Sequence, residues 1–551
     1  MKKLFDLKNN NWLIHLIAIG VLLLGAFVNF FPHSGIFFDD PFHYGEYVAT
    51  LPSVLVGEMS FITIHGALDW MPAWIAQLFV GTERHFLITM TLYAVLNLIA
   101  CFLLYLIITL FAQAHIKYWA FILLVSSVTA IYLVSHKDVF LLLSIFLFFL
   151  HQRFLQSELQ ARLLEVSLGV ALAVGMFWSF DRGVAGIGGI GGACMILFAT
   201  ERRHSITVIS FILFIAIFSW MGFFSFTDHI DNFKFLLATS SQWSYGFQRF
   251  AVLMTLVAAI FNAMAAYYLV KGFFRSYGND WRELANIYLI FVLCLIMLKI
   301  GINRADMGHI DMALWMPILA YLYLRIKQKE RPNILFLVIL TLMTSGLGLI
   351  AAWYGRQYLL GVSTIIPVLY IVENKFPKLS TKFTDSRWAV FIFAFVVISI
   401  NGTFFTLNLI HERYQWLVQI TNPPRNELLV DESIRWVSTE ILKAGSNCVF
   451  DLSNHGVING VSGLSACTRY TYPVYATQHY EADMIQQLQK RSPPVVVYSS
   501  THVAFEIDGR SMHDRFPELK KYMLKTYQYE KCNFGYCLRY LHQPTEKSIA
   551  S

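Results

Sequence analysis

Four titratable side chains stand close together in the segment FFDDPFHYGEY, residues 37–47. Two adjacent acids, Asp39 and Asp40, are followed by His43 and Glu46, directly after the first apolar run of the chain. A carboxylate in such a place can accept a proton from a hydroxyl group that attacks a substrate. Two close carboxylates raise each other's pKa, which would favour one of them as a base. The segment therefore predicts a catalytic Asp39 or Asp40.

Basic side chains in later segments could bind the anion that such a reaction releases. Arginine suits a phosphate because its planar fork donates two hydrogen bonds. The side chains that we predict to bind a phosphate are Arg304, His309, Arg182, Lys299 and Lys137. The side chains that we predict to contact the rest of the substrate are His43, Glu46, Asp181 and Asp306.

The elements that must position these residues are membrane spans. The chain has 551 residues, of which 56% are hydrophobic and 14% charged, whereas soluble domains are about 25% charged. Repeated apolar runs of about twenty residues are typical of membrane-spanning helices. We predict a transmembrane helical bundle of about thirteen spans, at 12–32, 86–112, 118–135, 139–152, 164–180, 183–200, 206–225, 248–270, 284–301, 309–325, 333–354, 358–372 and 388–410.

The distribution of Lys and Arg predicts the orientation of the bundle. They concentrate in the loops on the side of the N-terminal MKKLFDLK, which is typical of the cytoplasmic side. This topology explains the net charge of +7, so nucleic-acid binding is excluded as its explanation. We predict a bacterial inner-membrane protein with residues 411–551 in the periplasm.

The candidate residues then lie on one face, in the outer segments between spans. The first of these, residues 33–85, is long and contains amphipathic stretches that could lie along the membrane surface. SHKD (135–138), SFDRG (179–183), FTDHIDNFK (226–234) and KIGINRADMGHID (299–311) are predicted as further outer loops. Ionisable groups at a membrane boundary are costly unless they are paired or functional. The set predicts a site where these loops meet.

Residues 411–551 differ in character from the preceding 410. VFDL (449–452) and PVVVYSS (494–500) predict short buried strands, and 481–491 and 516–527 predict amphipathic helices. This alternation predicts a small α/β domain. We interpret it as a lid or an acceptor-docking domain.

Four cysteines fall in this last region, at Cys448, Cys467, Cys532 and Cys537. In an oxidising compartment they could form two disulfides, with three connectivities open. We favour the local pairs Cys448–Cys467 and Cys532–Cys537. Zinc is the competing interpretation, but the sequence has no CxxC pair.

The location of the site restricts its chemistry. There is no nucleotide pool outside the inner membrane, so an external synthetic enzyme must take an activated group from a membrane lipid. A sugar linked to a lipid phosphate fits this requirement. Its transfer needs a base for the acceptor hydroxyl and cations for the departing phosphate.

The layout resembles that of the GT-C superfamily of membrane glycosyltransferases. The shared features are many spans, an acidic pair in a long first external loop and an external C-terminal domain. The resemblance implies a polyprenyl-phosphate-linked sugar donor, a glycan, lipid or protein acceptor, and a base at Asp39 or Asp40. The chain has no WWD motif in its tail, which argues against transfer to asparagine. Asp138 is the single second-loop acid, so we predict no obligatory metal and leave a divalent ion open.

Two other classes remain open at this stage. An O-antigen-type ligase or polymerase would use a lipid-diphosphate glycan and would place its centre in NRADMGHID, residues 303–311. A polytopic transporter or export component would need no catalytic base. A transporter is expected to show internal repeats and ionisable groups near the midplane, and neither is evident in the sequence.

Overall fold

The computed structural model describes residues 12–32, 40–58, 61–112, 134–153, 157–220, 226–240, 249–278, 280–304, 316, 319–320, 323, 407–499 and 515–543. The helices are α1 (Trp12–Phe30), α2 (Leu51–Leu55), α3 (Met71–Val80), α4 (His85–Ala112), α5 (Val139–Arg153), α6 (Glu158–Trp178), α7 (Phe180–Gly186), α8 (Gly192–Glu201), α9 (Ser205–Trp220), α10 (Phe226–Ser240), α11 (Arg249–Ser276), α12 (Trp281–Arg304), α13 (Leu407–Gln419), α14 (Glu432–Lys443), α15 (Val457–Ser462), α16 (Glu481–Arg491) and α17 (Pro517–Thr526). The strands are β1 (Val495–Ser499), β2 (Tyr529–Asn533) and β3 (Tyr536–Tyr540).

The chain divides into two compact units. Unit 1 contains Met1–Phe31, Ala94–Phe223 and Phe247–His411, and unit 2 contains Pro32–Tyr93, Phe224–Gly246 and Glu412–Ser551. The last division lies between His411 and Glu412, whereas the sequence predicts a C-terminal domain from residue 411. Unit 2 is larger than that prediction, because it also takes in the first outer segment and residues 224–246.

Unit 1 is built from long apolar helices. Among the described residues, those long and apolar enough to cross a membrane are His85–Phe111, Glu158–Trp178, Phe180–Glu201 and Trp281–Ile302. The apolar helices His15–Phe30 and Ser205–Trp220 are shorter. Each of these six lies at a predicted span. The predicted spans 118–135, 309–325, 333–354, 358–372 and 388–410 lie wholly or largely outside the described residues.

Small residues let the helices of unit 1 approach closely. A Cβ atom on Gly169 of α6 would lie 2.4 Å from the backbone oxygen of Thr207 on α9. One on Gly189 would lie 2.9 Å from Leu293 of α12. Gly189 belongs to the π-helical turn Ile187–Gly191, which joins α7 to α8. Glycine at these positions therefore has a packing role, as in other membrane helix pairs.

Unit 2 contains a three-stranded antiparallel sheet in the order β1-β3-β2. β1 and β3 are mostly buried and pair in the register Val497↔Leu538, whereas β2 is an exposed edge strand. β2 and β3 form a hairpin around Phe534 and Gly535, whose φ angles of 51° and 80° are typical of a tight two-residue turn.

The predicted elements of the C-terminal region are partly confirmed. The predicted strand 494–500 is β1, and the two predicted helices are α16 and α17. VFDL (449–452) forms isolated parallel bridges, Val449↔Ala466 and Asp451↔Val497, in place of a full strand. The β2–β3 hairpin was not predicted, because its strands contain Glu530, Lys531 and Arg539 and show little apolar alternation.

Two disulfides are present in unit 2, Cys448–Cys467 and Cys532–Cys537. They are the two local pairs that the sequence favours. Cys448–Cys467 lies beside the Val449↔Ala466 bridge, and Cys532–Cys537 joins β2 to β3 across the hairpin.

Three predicted outer loops are wholly or partly α-helical. Residues 226–234 lie in the helix α10, within 179–183 the residues after Ser179 begin α7, and within 299–311 residues 299–304 end α12. In α10 apolar residues recur at helical spacing beside Asp228, Asp231 and Lys234, and this amphipathic pattern suits a helix on a surface. Asn232 of α10 donates a hydrogen bond of 2.7 Å to the Thr63 hydroxyl in the first outer segment.

Candidate functional site

Asp40 and His43 form a side-chain pair in a helical turn that leads into the 3₁₀ segment Gly45–Tyr47. The backbone nitrogen of Tyr44 donates to the Asp40 carbonyl at 3.1 Å. One Asp40 carboxylate oxygen accepts from the backbone nitrogen of His43 at 3.0 Å, and the other lies 2.6 Å from His43 Nδ1. The side chains are 41% and 46% exposed. The turn thus presents a fixed carboxylate at the surface of unit 2.

The Asp40 carboxyl is held in its ionised form. Burial raises its pKa, but hydrogen bonds from His43 and the nearby imidazoles of His43 and His455 outweigh this, so the pKa lies below its ordinary value. The carboxylate is therefore free of a proton at neutral pH, as a proton acceptor must be. His43 and His455 cause this lowering of the Asp40 pKa, whereas the sequence predicted that a neighbouring acid would raise the pKa.

Residues of the C-terminal region hold this turn. The Tyr472 hydroxyl donates to the Phe42 carbonyl at 3.2 Å, and the two rings lie 5.1 Å apart, edge to face. Gly45 packs closely against the start of α15. A Cβ atom at this position would lie 2.7 Å from the backbone nitrogen of Val457. Only glycine fits this approach without displacing backbone. The tail therefore positions Asp40.

Glu46 lies beneath the turn. It is buried, and its Oε1 accepts a hydrogen bond from the Tyr475 hydroxyl at 3.2 Å. Its contact with the tail favours a structural role over the predicted substrate contact.

Sequence reasoning missed a buried polar network beside the turn. Asp451 accepts hydrogen bonds from the backbone nitrogens of Ser453 and His455 at 2.7 and 2.8 Å. Burial raises the pKa of Asp451 to about 6 even though these bonds lower it. His455 Nδ1 pairs with the Tyr536 hydroxyl. The one sequence signal was an Asp in the predicted strand VFDL followed closely by Ser-Asn-His.

The first outer segment contains a second Asp–His pair. Asp69 Oδ2 accepts from the backbone nitrogens of Ile64 and His65 at 2.7 and 2.9 Å, and Oδ1 lies 2.8 Å from His65 Nδ1. The Asp69 side chain is only 3% exposed. This carboxylate closes its own loop and does not face solvent.

In unit 1 the second and third outer segments meet around Arg182. Its Nε donates to Asp138 Oδ1 at 2.7 Å, and its Nη1 pairs with Asp181. Asp138 also accepts from the backbone nitrogen of Ser135 at 2.9 Å, while the Ser179 hydroxyl donates to Asp181 at 2.7 Å. Arg182 is buried. Two carboxylates thus occupy the guanidinium that we predicted to bind phosphate.

The remaining predicted residues stand as follows. Lys137 is partly exposed and Lys299 is exposed, both in unit 1. The positions Asp39, Asp306 and His309 lie outside the described residues, as does the side chain of Arg304. For these residues the predicted roles stay predictions.

The solved structures that the chain resembles include two of ArnT. Against ArnT from Cupriavidus metallidurans in the apo state the TM-score is 0.46 at 10% identity, covering 96% of this chain and 98% of that chain. Against ArnT from the same organism bound to undecaprenyl phosphate it is 0.44 at 10% identity, covering 98% and 99%. No protein-family model matches the chain, and no curated protein matches its sequence.

Proposed function

We propose that the chain is a membrane glycosyltransferase that moves a sugar from a polyprenyl-phosphate-linked donor to a glycan, lipid or protein acceptor on the periplasmic face. The observation that carries the proposal is the Asp40 carboxylate. It is ionised, partly exposed and fixed by His43 in the first outer segment. This is the position and protonation state that a base for an acceptor hydroxyl requires.

The proposed reaction is a direct displacement. The acceptor hydroxyl gives its proton to the Asp40 carboxylate as its oxygen bonds to the anomeric carbon of the donor sugar. The bond between that carbon and the phosphate oxygen breaks, and polyprenyl phosphate leaves. His43 is a positioning residue, because its backbone and side-chain nitrogens fix both Asp40 oxygens. Cations must stabilise the departing phosphate, and the phosphate contacts predicted from the sequence for Lys137, Lys299, Arg304 and His309 stay predictions.

Arg182 receives a different role in this proposal. Replacing one partner of a buried ion pair leaves an uncompensated charge and costs about 3–5 kcal/mol. Arg182 has one such partner in Asp138 and a partly exposed one in Asp181, so moving the guanidinium to a phosphate would break at least the buried pair. We infer that Arg182 joins the segment before α5 to the start of α7.

The composition of unit 2 supports the predicted orientation. Unit 2 contains two disulfides, one of which lies within its sheet, and disulfides persist in oxidising compartments. Ile62 donates a backbone hydrogen bond to the Arg469 carbonyl at 2.7 Å, and Arg491 pairs with Glu58. The first outer segment and the tail therefore pack in one unit, as they can only if both lie on one side of the membrane.

The test supplies the full-length chain in lipid nanodiscs with a panel of polyprenyl-phosphate hexoses and pentoses. The release of polyprenyl phosphate measures turnover. We expect turnover with at least one donor in the presence of a periplasmic glycan or lipid extract. Asp40→Asn should abolish it and still bind the donor lipid. The matched control is Asp231→Asn, which alters an exposed acid of unit 2 that pairs with Lys234. Turnover only with lipid diphosphates, or full activity of Asp40→Asn, would overturn the proposal.

A further inference from the structure

A buried group of metal-ligand side chains lies in unit 1, at the opposite end of α5 from the Arg182 ion pairs. His151 stands in the last turn of α5, Glu165 in the second turn of α6, and His204 directly before α9. Their ligand atoms all lie within 4.8 Å of one another. The three residues are at most 8% exposed. They are separated by 13 and 38 intervening positions, so no sequence motif announces them.

Three side-chain nitrogen atoms of this group make no hydrogen bond. Among the described residues, His151 Nδ1 and Nε2 and His204 Nε2 are buried without a hydrogen-bond partner. A buried polar atom left in this state costs about 1–3 kcal/mol. His151 Nε2 lies 3.2 Å from Glu165 Oε1 but is not aligned for a hydrogen bond. Ligand atoms of a tetrahedral zinc ion are spaced by a similar distance, about 3.3 Å, because each lies about 2.0–2.1 Å from the metal.

The surroundings orient the ligands. His204 Nδ1 lies 3.3 Å from the Thr207 hydroxyl, and this contact leaves Nε2 available to a metal ion. The ring stacks on Phe148 with an interplanar angle of 21°. Such an outer hydrogen bond on the second imidazole nitrogen is usual for histidine ligands of zinc. His204 also has a φ of 66°, an uncommon backbone conformation for a residue with a side chain.

We propose that His151, Glu165 and His204 bind one Zn²⁺ ion that ties together α5, α6 and the start of α9. Two imidazoles and one carboxylate form a common zinc ligand set, with water in the fourth position. The ion would neutralise the buried Glu165 carboxylate and bind one nitrogen of each imidazole. By the predicted topology, these helix ends lie on the cytoplasmic side. The site is independent of the proposed sugar transfer.

The first experiment measures metal content. The full-length chain, with any histidine tag removed, is stripped with a chelator, reloaded with Zn²⁺ alone and analysed by mass spectrometry of the metal. We expect about one zinc per chain and a rise in the thermal midpoint on reloading, because a ligand that binds only the folded state stabilises it. Glu165→Gln and His151→Gln should weaken zinc binding at least about tenfold. The matched control, Glu201→Gln, alters an acid on α8 that pairs with Arg203 and Arg282, and should keep the zinc.

A second measurement needs no variant and covers the case in which the substitutions prevent folding. X-ray absorption at the zinc edge of the reloaded wild type should show nitrogen and oxygen neighbours at about 2.0–2.1 Å with imidazole scattering. Sulfur neighbours would instead indicate reduced tail cysteines and would overturn the assignment. A wild-type chain that takes up no zinc, or variants that keep it fully, would do the same.

Discussion

The two Asp–His pairs of the first outer segment have similar side-chain distances and different surroundings. Asp40 and His43 lie 2.6 Å apart with about four-tenths of each side chain exposed, whereas Asp69 and His65 lie 2.8 Å apart and are nearly buried. Asp69 also binds two backbone nitrogens that close its own loop. The comparison teaches that contact with histidine does not itself mark a catalytic acid. Access to a substrate distinguishes the two carboxylates.

The largest expected difference between the pairs is in turnover. Asp40→Asn should lower the transfer rate per folded molecule by about 10²–10⁴-fold, the usual contribution of a general base. Asp69→Asn should lower it by less than about threefold, because its carboxylate does not face solvent. Release of polyprenyl phosphate, normalised to the folded fraction, measures both. Equal losses of turnover in the two variants would contradict the assignment of a catalytic role to Asp40 and not to Asp69.

For stability we expect the opposite ranking, with a larger loss in Asp69→Asn than in Asp40→Asn. Asp69→Asn removes the charge from an acceptor that serves two backbone nitrogens and one imidazole, and should lower the free energy of unfolding by about 2–3 kcal/mol. Asp40→Asn should cost less than about 1 kcal/mol, because its pair is partly exposed. Thermal midpoints from tryptophan fluorescence compare the two variants. A larger fall for Asp40→Asn would indicate a structural role for the exposed pair.

The pH profile gives a finer test. The His43 hydrogen bonds and charge lower the pKa of Asp40, so His43→Gln should raise that pKa. The acid limb of kcat/KM should then move to higher pH, because the base is protonated sooner as the pH falls. His65→Gln is the matched control and should leave the limb in place. The lowered pKa also means that Asp40 stabilises the fold above its unfolded pKa, and that this contribution is lost as the pH falls through the folded value.

The smallest expected effect is at the contact between the turn and the tail. Tyr472→Phe removes the hydrogen bond to the Phe42 carbonyl and keeps the ring packing. It should cost about 1 kcal/mol of stability, the net value of a typical hydrogen bond. Turnover should fall slightly, because the turn that carries Asp40 would be held less firmly. Denaturant titration measures the first effect, and no change in either quantity would show that the bond does not hold the turn.

The sequence alone predicts the elements whose physics is local. Apolar runs such as 86–112 and 284–301 predict helices because a membrane requires every backbone group to be paired within the segment, and the structure has helices there. The helix at 481–491 follows from its amphipathic spacing. The short separation of Cys532 and Cys537 favours a local disulfide, and the β2–β3 hairpin places the two residues opposite each other. The α10 helix was mistaken for a loop because its charges obscured its helical period.

The sequence by itself determined that this is a largely helical chain with apolar spans, a cysteine-bearing tail and a titratable cluster after the first span. Only the tertiary structure decided what each titratable group does. In the folded chain Asp40 pairs with a histidine, and Asp69 is buried. Arg182 pairs with two acids. His151, Glu165 and His204 lie together in one buried group. The physical reason is that pKa, pairing and burial depend on neighbours distant in the chain, which no local pattern records.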